Sequence, residues 1–289
     1  MKQLGIALLW LLWRLLPDRV LGQAGEMLGA ALFVFARERR HIGATNLRLC
    51  FPELDDAARN VLLKRHFRAF GRAALLETVC WWGKREDIVR LVRIEGMEHL
   101  VPYRGGPVVL FTTHFVGVSA GGIRLTCELA PMVDIYSPIK NPLLNRLAHR
   151  ARQRFGESEL YSRSEGIRPV LKAVKRGLPF YYLPDMDYGR KDALFVPLFG
   201  VLAATITGLS RIAHATKAAV IPTVTRAEGD GYVIRLYPAW ENFPTDDVEA
   251  DTRRMNAFIE DRIREMPEQY FWLHKRFKTR PVGEASLYG

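Results

Sequence analysis

In open α/β sheets, ligands gather beyond the carboxyl ends of strands, where loops hand over to helices. His114 of this chain stands at such a place: it follows the apolar run VVLFTT, 108–113, and precedes FVGVSAGG, 115–122, which reads as a loop opening a helix. An imidazole there can act as a general acid or base, and a hydrogen-bonded polar group without chemistry is the other reading. Asp185 and Asp187 follow a second apolar run, YYL at 181–183, with Arg190 three residues further on. Two acids at this spacing make a metal pair only with a histidine or third acid beside them, and none is there, so no metal is expected. Arg163, in YSRSE at 161–165, ends a third short run and has Glu165 as a neighbour for an ion pair. Residues 117–121, GVSAG, match by letters the Gly-x-Ser-x-Gly elbow of a serine hydrolase centred on Ser119. An elbow serine occupies the strand-to-helix turn itself, and here His114 holds that turn. His214 and His274, later in the chain, leave the hydrolase as a minor alternative.

These residues need elements to position them. Apolar residues at helical spacing over Leu54–Trp82 (Leu62, Leu63, Phe67, Phe70, Leu75, Leu76, Val79), with Lys64, Arg65 and Arg68 between them, predict a long helix ending at Gly83. Short apolar runs then alternate with helical segments: strands at 108–112, 132–136, 160–162 and 180–183, helices at 121–129, 142–155 and 167–176. A helix at 208–216 leads to strands at 219–226 and 232–237 around the EGDG turn, and 248–266 closes the chain's pattern as an amphipathic helix. Such alternation predicts an α/β fold, a mostly parallel sheet flanked by helices, with the last hairpin as an antiparallel piece. With no internal repeat or low-complexity linker, the economical division is an N-terminal segment, 1–40, and one catalytic-sized domain, 41–289.

At 289 residues, 48% hydrophobic and 25% charged, the composition rules out a disordered, collagen-like or multi-span membrane protein. Cys50, Cys80 and Cys127 lie far apart, which excludes a disulfide framework and a zinc site. The 42 Lys+Arg against 31 Asp+Glu leave a net charge of +11, and the window from Lys140 to Arg176 carries much of it. Such a patch suits nucleic acid, phospholipid headgroups, a phosphorylated substrate or an acidic protein, or it is a solvated helix face. No nucleic-acid recognition motif accompanies it, so that partner is discounted. Near the N-terminus, GIALLWLLWRLL at 5–16 falls short of the roughly 20 apolar residues a spanning helix needs. It lacks a small-residue cleavage site, and a second stretch, MLGAALFVFA at 27–36, stops at the basic RERRH, 37–41. Together they predict an interfacial anchor, with Trp10 and Trp13 at headgroup depth; a buried helix pair is the alternative.

Several blocks also resemble a known family. THFVGVS, 113–119, is similar to the His-x4-Asp/Glu block of the glycerolipid acyltransferases, in particular the lipid A late (secondary) acyltransferases. NLRLCFPEL (46–54), YLPDMDYGRKD (182–192), FVPLFG (195–200), EADTRRMN (249–256) and EQYFWLHKRFKTRP (268–281) resemble further blocks of that family, in its order. The resemblance implies a glycerolipid-acyltransferase-like fold at the cytoplasmic face of the bacterial inner membrane. It also implies transfer of a fatty acyl chain from acyl carrier protein, or coenzyme A, to a hydroxyl of an anionic glycolipid, a lipid A precursor. No cofactor beyond that thioester co-substrate is implied. His114 would be the base, Arg163 a holder of substrate phosphate, and Asp185, Asp187 and Arg190 would position the His114 loop and the headgroup. Position 119 departs from the pattern, since serine cannot supply the charge of the expected acid. Removing a comparable carboxylate from a serine protease triad costs about 10^4 in kcat. Three accounts stand: a substitution that inactivates the enzyme, a divergent or non-catalytic lipid-binding paralogue, or a replacement acid such as Asp185 or Asp187. The first two are favoured, and with them the expectation that Ser119→Asp raises transfer at least about 100-fold. An acyltransferase acting on another membrane lipid is a further alternative.

Overall fold

The computed structural model describes residues 2–289. It opens with three helices, α1 (Lys2–Leu15), α2 (Asp18–Phe35) and α3 (Arg37–Cys50), and then the long α4 (Asp56–Trp82). Asp55 caps α4 by accepting the Ala58 N–H, 2.7 Å, and the helix stops at Gly83. α2 lies against α4 almost backbone to backbone: a Cβ on Gly25 would come within 2.6 Å of the Gly71 carbonyl, and one on Gly29 within 2.0 Å of that of Phe67. Helix α3 turns from α2 by 92° at Ala36.

Beyond α5 (Arg85–Leu91) the chain builds the sheet from β1 (Val92–Glu95), β2 (Val108–Phe111), β3 (Val133–Tyr136), β4 (Glu159–Ser162) and β5 (Phe180–Tyr182). Helices α6 (Val118–Leu129), α7 (Pro142–Gln153) and α8 (Arg168–Lys175) connect them. A two-stranded hairpin follows, β6 (Ala193–Leu198) with β7 (Val201–Ile206), then α9 (Gly208–Thr216), β8 (Ala219–Glu228), β9 (Gly231–Leu236) and α10 (Val248–Glu265). The seven-stranded sheet runs β1-β9-β8-β2-β5-β3-β4; β8, β2, β5, β3 and β4 are mutually parallel, and β9 pairs antiparallel with β8. The α/β class and the mostly parallel sheet thus match the expectation from sequence. The period-two alternation of strand side chains splits the core in two. Val109, Phe111, Phe180 and Val220 pack with α8, α9, α10 and the C-terminal aromatics, and Val108, Leu110 and Ile221 pack with α5, α6 and the end of α4.

Differences lie where the sequence pattern is thin. β1 is an edge strand of four residues of mixed polarity, and α3 is rich in arginine, so neither shows a clear apolar period. The β6–β7 hairpin turns at Phe199–Gly200, both at positive φ, a two-residue turn suited to the twist of the strands. Arg264 caps the Phe199 ring at 4.7 Å.

Candidate active site

Parallel pairing of β2 with β5 places Phe111 opposite Tyr182. Three residues past each paired end stand His114 and Asp185, so the register alone delivers them to the same level above the carboxyl edge of the sheet. Asp185 is fully buried and spends both oxygens on His114: one accepts the backbone N–H at 2.8 Å, the other the ring Nδ1–H at 2.6 Å. Burial by itself would raise this carboxyl, yet the charge and hydrogen bonds of His114 hold it below the ordinary carboxylate value. With Nδ1 committed, Nε2 is the nitrogen left for the cavity that His114 lines. The loop is anchored from behind as well, because Phe271 N–H donates to the His114 carbonyl and Val116 N–H to that of Gln269.

The cavity, about 910 Å³, joins two kinds of surface. One limb, between α6 and β3, is mostly apolar, with Val118, Ile123, Met132, Val133 and Ile135, and the Asp134–Arg152 ion pair also lines it. The other opens to solvent past Arg163, Lys191 and Arg211, with Thr207 and Gly208 at the start of α9. Arg163 follows β4 directly, and its guanidinium stacks 3.9 Å over the Tyr188 ring. Its sequence neighbour Glu165 instead accepts the Ser162 N–H, so the anticipated ion pair is not formed.

Other sequence candidates go elsewhere. The hydroxyl of Ser119, in the first turn of α6, donates to Glu77 Oε1 at 2.7 Å. Asp185, not Ser119, is therefore the hydrogen-bonding partner of His114. Ser119 differs from its expected place because the αL turn at Gly117, φ 81°, with the Tyr232 ring filling the space a Cβ would need, starts α6 facing α4. No histidine bonds this hydroxyl among the described residues, so the serine-hydrolase geometry is not assembled. An acid at 119 would also meet Glu77, which removes the basis for expecting Ser119→Asp to help. Asp187 is buried away from the cavity; it accepts the N–H and hydroxyl of Thr279, each at 2.8 Å, and the Gly189 N–H at 2.9 Å. Arg190 reaches the Arg280 carbonyl at 2.6 Å and lies over the Phe195 ring. Both tie the C-terminal segment to the body. His274, pushed down to about 4 chiefly by burial, accepts the Asp187 N–H on Nε2. Among the described residues no cluster of His, Cys, Asp or Glu could hold a metal ion.

A family profile described as bacterial lipid A biosynthesis acyltransferase matches residues 1–279. The chain belongs to that family. It is 35% identical to the lipid A biosynthesis lauroyltransferase of Escherichia coli K12, over 99% of this chain and 94% of the relative. To the palmitoleoyltransferase of the same organism it is 34% identical, over 98% and 93%, and to a Haemophilus influenzae lipid A biosynthesis acyltransferase 33%, over 93% and 84%. The resemblance read from the sequence blocks is thus the right one, and the protein is an acyltransferase. Within this acyltransferase, sequence reading missed Lys191 and Arg211 in the cavity lining and Glu77 as the partner of Ser119 behind it. Lys191 and Arg211 were legible only as surface charge, and Glu77 lies mid-helix with nothing local to mark it.

Proposed function

We propose that His114 and Asp185 are the acid–base dyad of a late lipid A acyl transfer. As the acceptor hydroxyl attacks the thioester carbonyl, His114 Nε2 takes its proton while Asp185 holds the tautomer and balances the imidazolium. The new C–O bond forms, the C–S bond breaks, and the proton passes from the imidazolium to the departing thiolate. No covalent enzyme intermediate is required. The observation that carries this reading is the doubly bonded His114–Asp185 pair at the wall of a cavity that is mostly apolar on one side and cationic at its mouth. The apolar limb suits an acyl chain. Arg163, Lys191 and Arg211 suit the phosphate of a lipid A precursor, and a planar guanidinium is the better phosphate fork.

For the donor we propose acyl carrier protein rather than coenzyme A. Helix α7 carries exposed Arg146 and Arg150 and α8 exposed Lys172 and Lys175, a face complementary to an acidic protein. For location we propose the cytoplasmic face of the inner membrane. Among the described residues no single helix is long and apolar enough to cross a membrane. Yet α1 and α2 expose Leu4, Leu8, Leu15, Met27 and Phe35, the last 80% exposed. Arg37, Arg40, Lys64, Arg65 and Arg68 surround the α2–α3 elbow, with Arg40 and Lys64 over the Phe33 ring. That is the composition of an interfacial helix over anionic lipid.

The test is acyl transfer to a lipid A precursor by the purified protein, from carrier-protein thioester and from acyl-coenzyme A, in anionic vesicles. Transfer from the carrier thioester that disappears in His114→Ala is expected. Undiminished transfer in His114→Ala would refute the dyad, and equal use of coenzyme A the donor assignment.

A further inference from the structure

The loop from His114 to Ser119 is fixed at both ends by carboxylates from distant parts of the chain. At its start Asp185 takes the backbone N–H and Nδ1–H of His114. Along its length Phe115 bridges to Tyr270, and Val116 N–H donates to the Gln269 carbonyl at 2.8 Å. At its end, after the Gly117 turn, Ser119 donates to Glu77 Oε1 at 2.7 Å. Gly117 offers no side chain to cap α6; two side-chain hydrogen bonds hold the helix's first turn, the Tyr181 hydroxyl donating to the Val118 carbonyl at 3.0 Å and Ser119 donating to Glu77, and of the two only the second comes from α4. Ser119 lines the same cavity as His114.

Glu77 is an uncommon choice for a purely structural acceptor. It is half-buried on α4, its carboxyl is pushed up by burial, and the Ser119 hydroxyl and Arg152 oppose that shift. Arg152 is itself engaged with Asp134, another cavity residue, 3.5 Å away. A neutral acceptor would bind the hydroxyl without this desolvation cost. Its placement makes sense if the start of α6 needs an acceptor oxygen fixed from α4, the element that reaches it.

We propose that Glu77 is a positioning residue of the transfer reaction: from α4 it holds Ser119, and with it the downstream end of the His114 loop, so that positions 77 and 119 share one carboxylate at the cavity wall. This rests on the dyad reading above, and it concerns how the imidazole is aimed rather than what the imidazole does.

The experiment measures kcat and KM for both substrates, with melting temperature, in Glu77→Ala, Glu77→Gln, Ser119→Ala, Ser119→Asp and the exchange Glu77→Ser/Ser119→Asp. Misaiming the loop costs about 10- to 100-fold in kcat in Glu77→Ala and Ser119→Ala, with KM held within about twofold, since reacting-group placement and not substrate binding is lost. Glu77→Gln keeps an acceptor oxygen for the serine and retains most of the activity. Ser119→Asp alone sets two carboxylates at hydrogen-bond distance and lowers kcat, because like charges that close cannot both ionise comfortably. The exchange moves the single acid across the contact and restores kcat to within about threefold of the parent, a coupling that separate sites would not show.

An unchanged kcat in folded Glu77→Ala overturns the proposal, as does an exchange variant no more active than Ser119→Asp. A parallel loss of kcat and melting temperature that Glu77→Gln repairs in temperature alone also overturns it, as a structural role. If Glu77→Ala does not fold, Ser119→Ala and the exchange carry the test by the same criteria. His114→Ala separates the two levels: transfer surviving there refutes the dyad, whereas loss there with Glu77 variants at full kcat refutes only this inference.

Discussion

Asp185→Asn keeps the size and burial of the side chain and removes one charge from the fully buried end of the dyad. In the parent, the carboxylate accepts two hydrogen bonds from His114, at 2.8 and 2.6 Å. An amide can accept only one of them; its NH2 then faces either the backbone N–H or the ring. If it donates to Nδ1, the ring proton moves to Nε2 and the base is lost. Charge adds a second cost. With the carboxylate and imidazolium centres roughly 4 Å apart and an effective dielectric near 20, their attraction is about 4 kcal/mol. That is about 10^3 in rate at 1.36 kcal/mol per decade, and the tautomer error takes the loss toward 10^4. The assay is single-turnover transfer from carrier thioester to lipid A precursor, so that product release does not mask chemistry. The fall is expected in kcat, because the contact is strengthened only as the imidazolium forms. Asp185→Asn within about tenfold of the parent, with the fold intact, would refute the reasoning, since no orientation-only role for Asp185 is that cheap.

Asp187→Ala, which unties Thr279 and Gly189, is expected to lower stability by about 2–4 kcal/mol in chemical denaturation, while kcat per folded molecule stays within about twofold. Arg163→Ala should lower kcat/KM for a phosphorylated acceptor about 10- to 100-fold, one charge-assisted bond of about 1.5–3 kcal/mol, and Arg163→Lys should recover only part of it. His66 is buried and pushed down to about 4, mainly by desolvation, from an ordinary value of 6.5, with its Nδ1–H on the Glu268 carbonyl. The unfolded chain therefore binds a proton that the folded one refuses, so stability present above pH 6.5 is lost as pH falls toward 4. Melting temperature against pH should flatten over that window in His66→Gln, and an identical slope would contradict the assignment.

Many strands and helices around the site were readable because their apolar periods are clean: the span expected at 208–216 is α9 to the residue, and the other spans expected from 108 to 266 shift by one to three residues, whereas β1 and the β6–β7 hairpin were not expected. The places of His114 and Arg163, past strand ends and lining the cavity, were readable too, as polar residues ending apolar runs. What could not be read was pairing. Asp185 and Asp187 differ by two positions in one motif, yet one meets the imidazole and the other the C-terminal segment, a distinction created by the β2–β5 register and by Thr279, 92 residues away. Nor could Ser119 be judged from its own letters: its partner Glu77 lies 42 residues earlier, in a helix whose pattern only reports burial. Local physics marks elements and their ends, while the identity of a charge partner depends on which elements the fold sets side by side.

The equal three-residue reach of His114 and Asp185 past paired strand ends also bears on how the enzyme comes into being. Neither half of the dyad can be aimed until β2 and β5, whose residues are 71 apart in the chain, lie in register. The loop is then still open on its outer side until residues 269–271, near the end of the chain, bond to His114 and Val116. In the proposed reaction, proton abstraction by His114 thus waits on the contacts of residues 269–271 as well as on the β2–β5 register. For the same reason each loop tolerates changes of composition better than changes of length: one residue inserted between Phe111 and His114, or between Tyr182 and Asp185, would put base and acid out of step however well the rest of the protein folded.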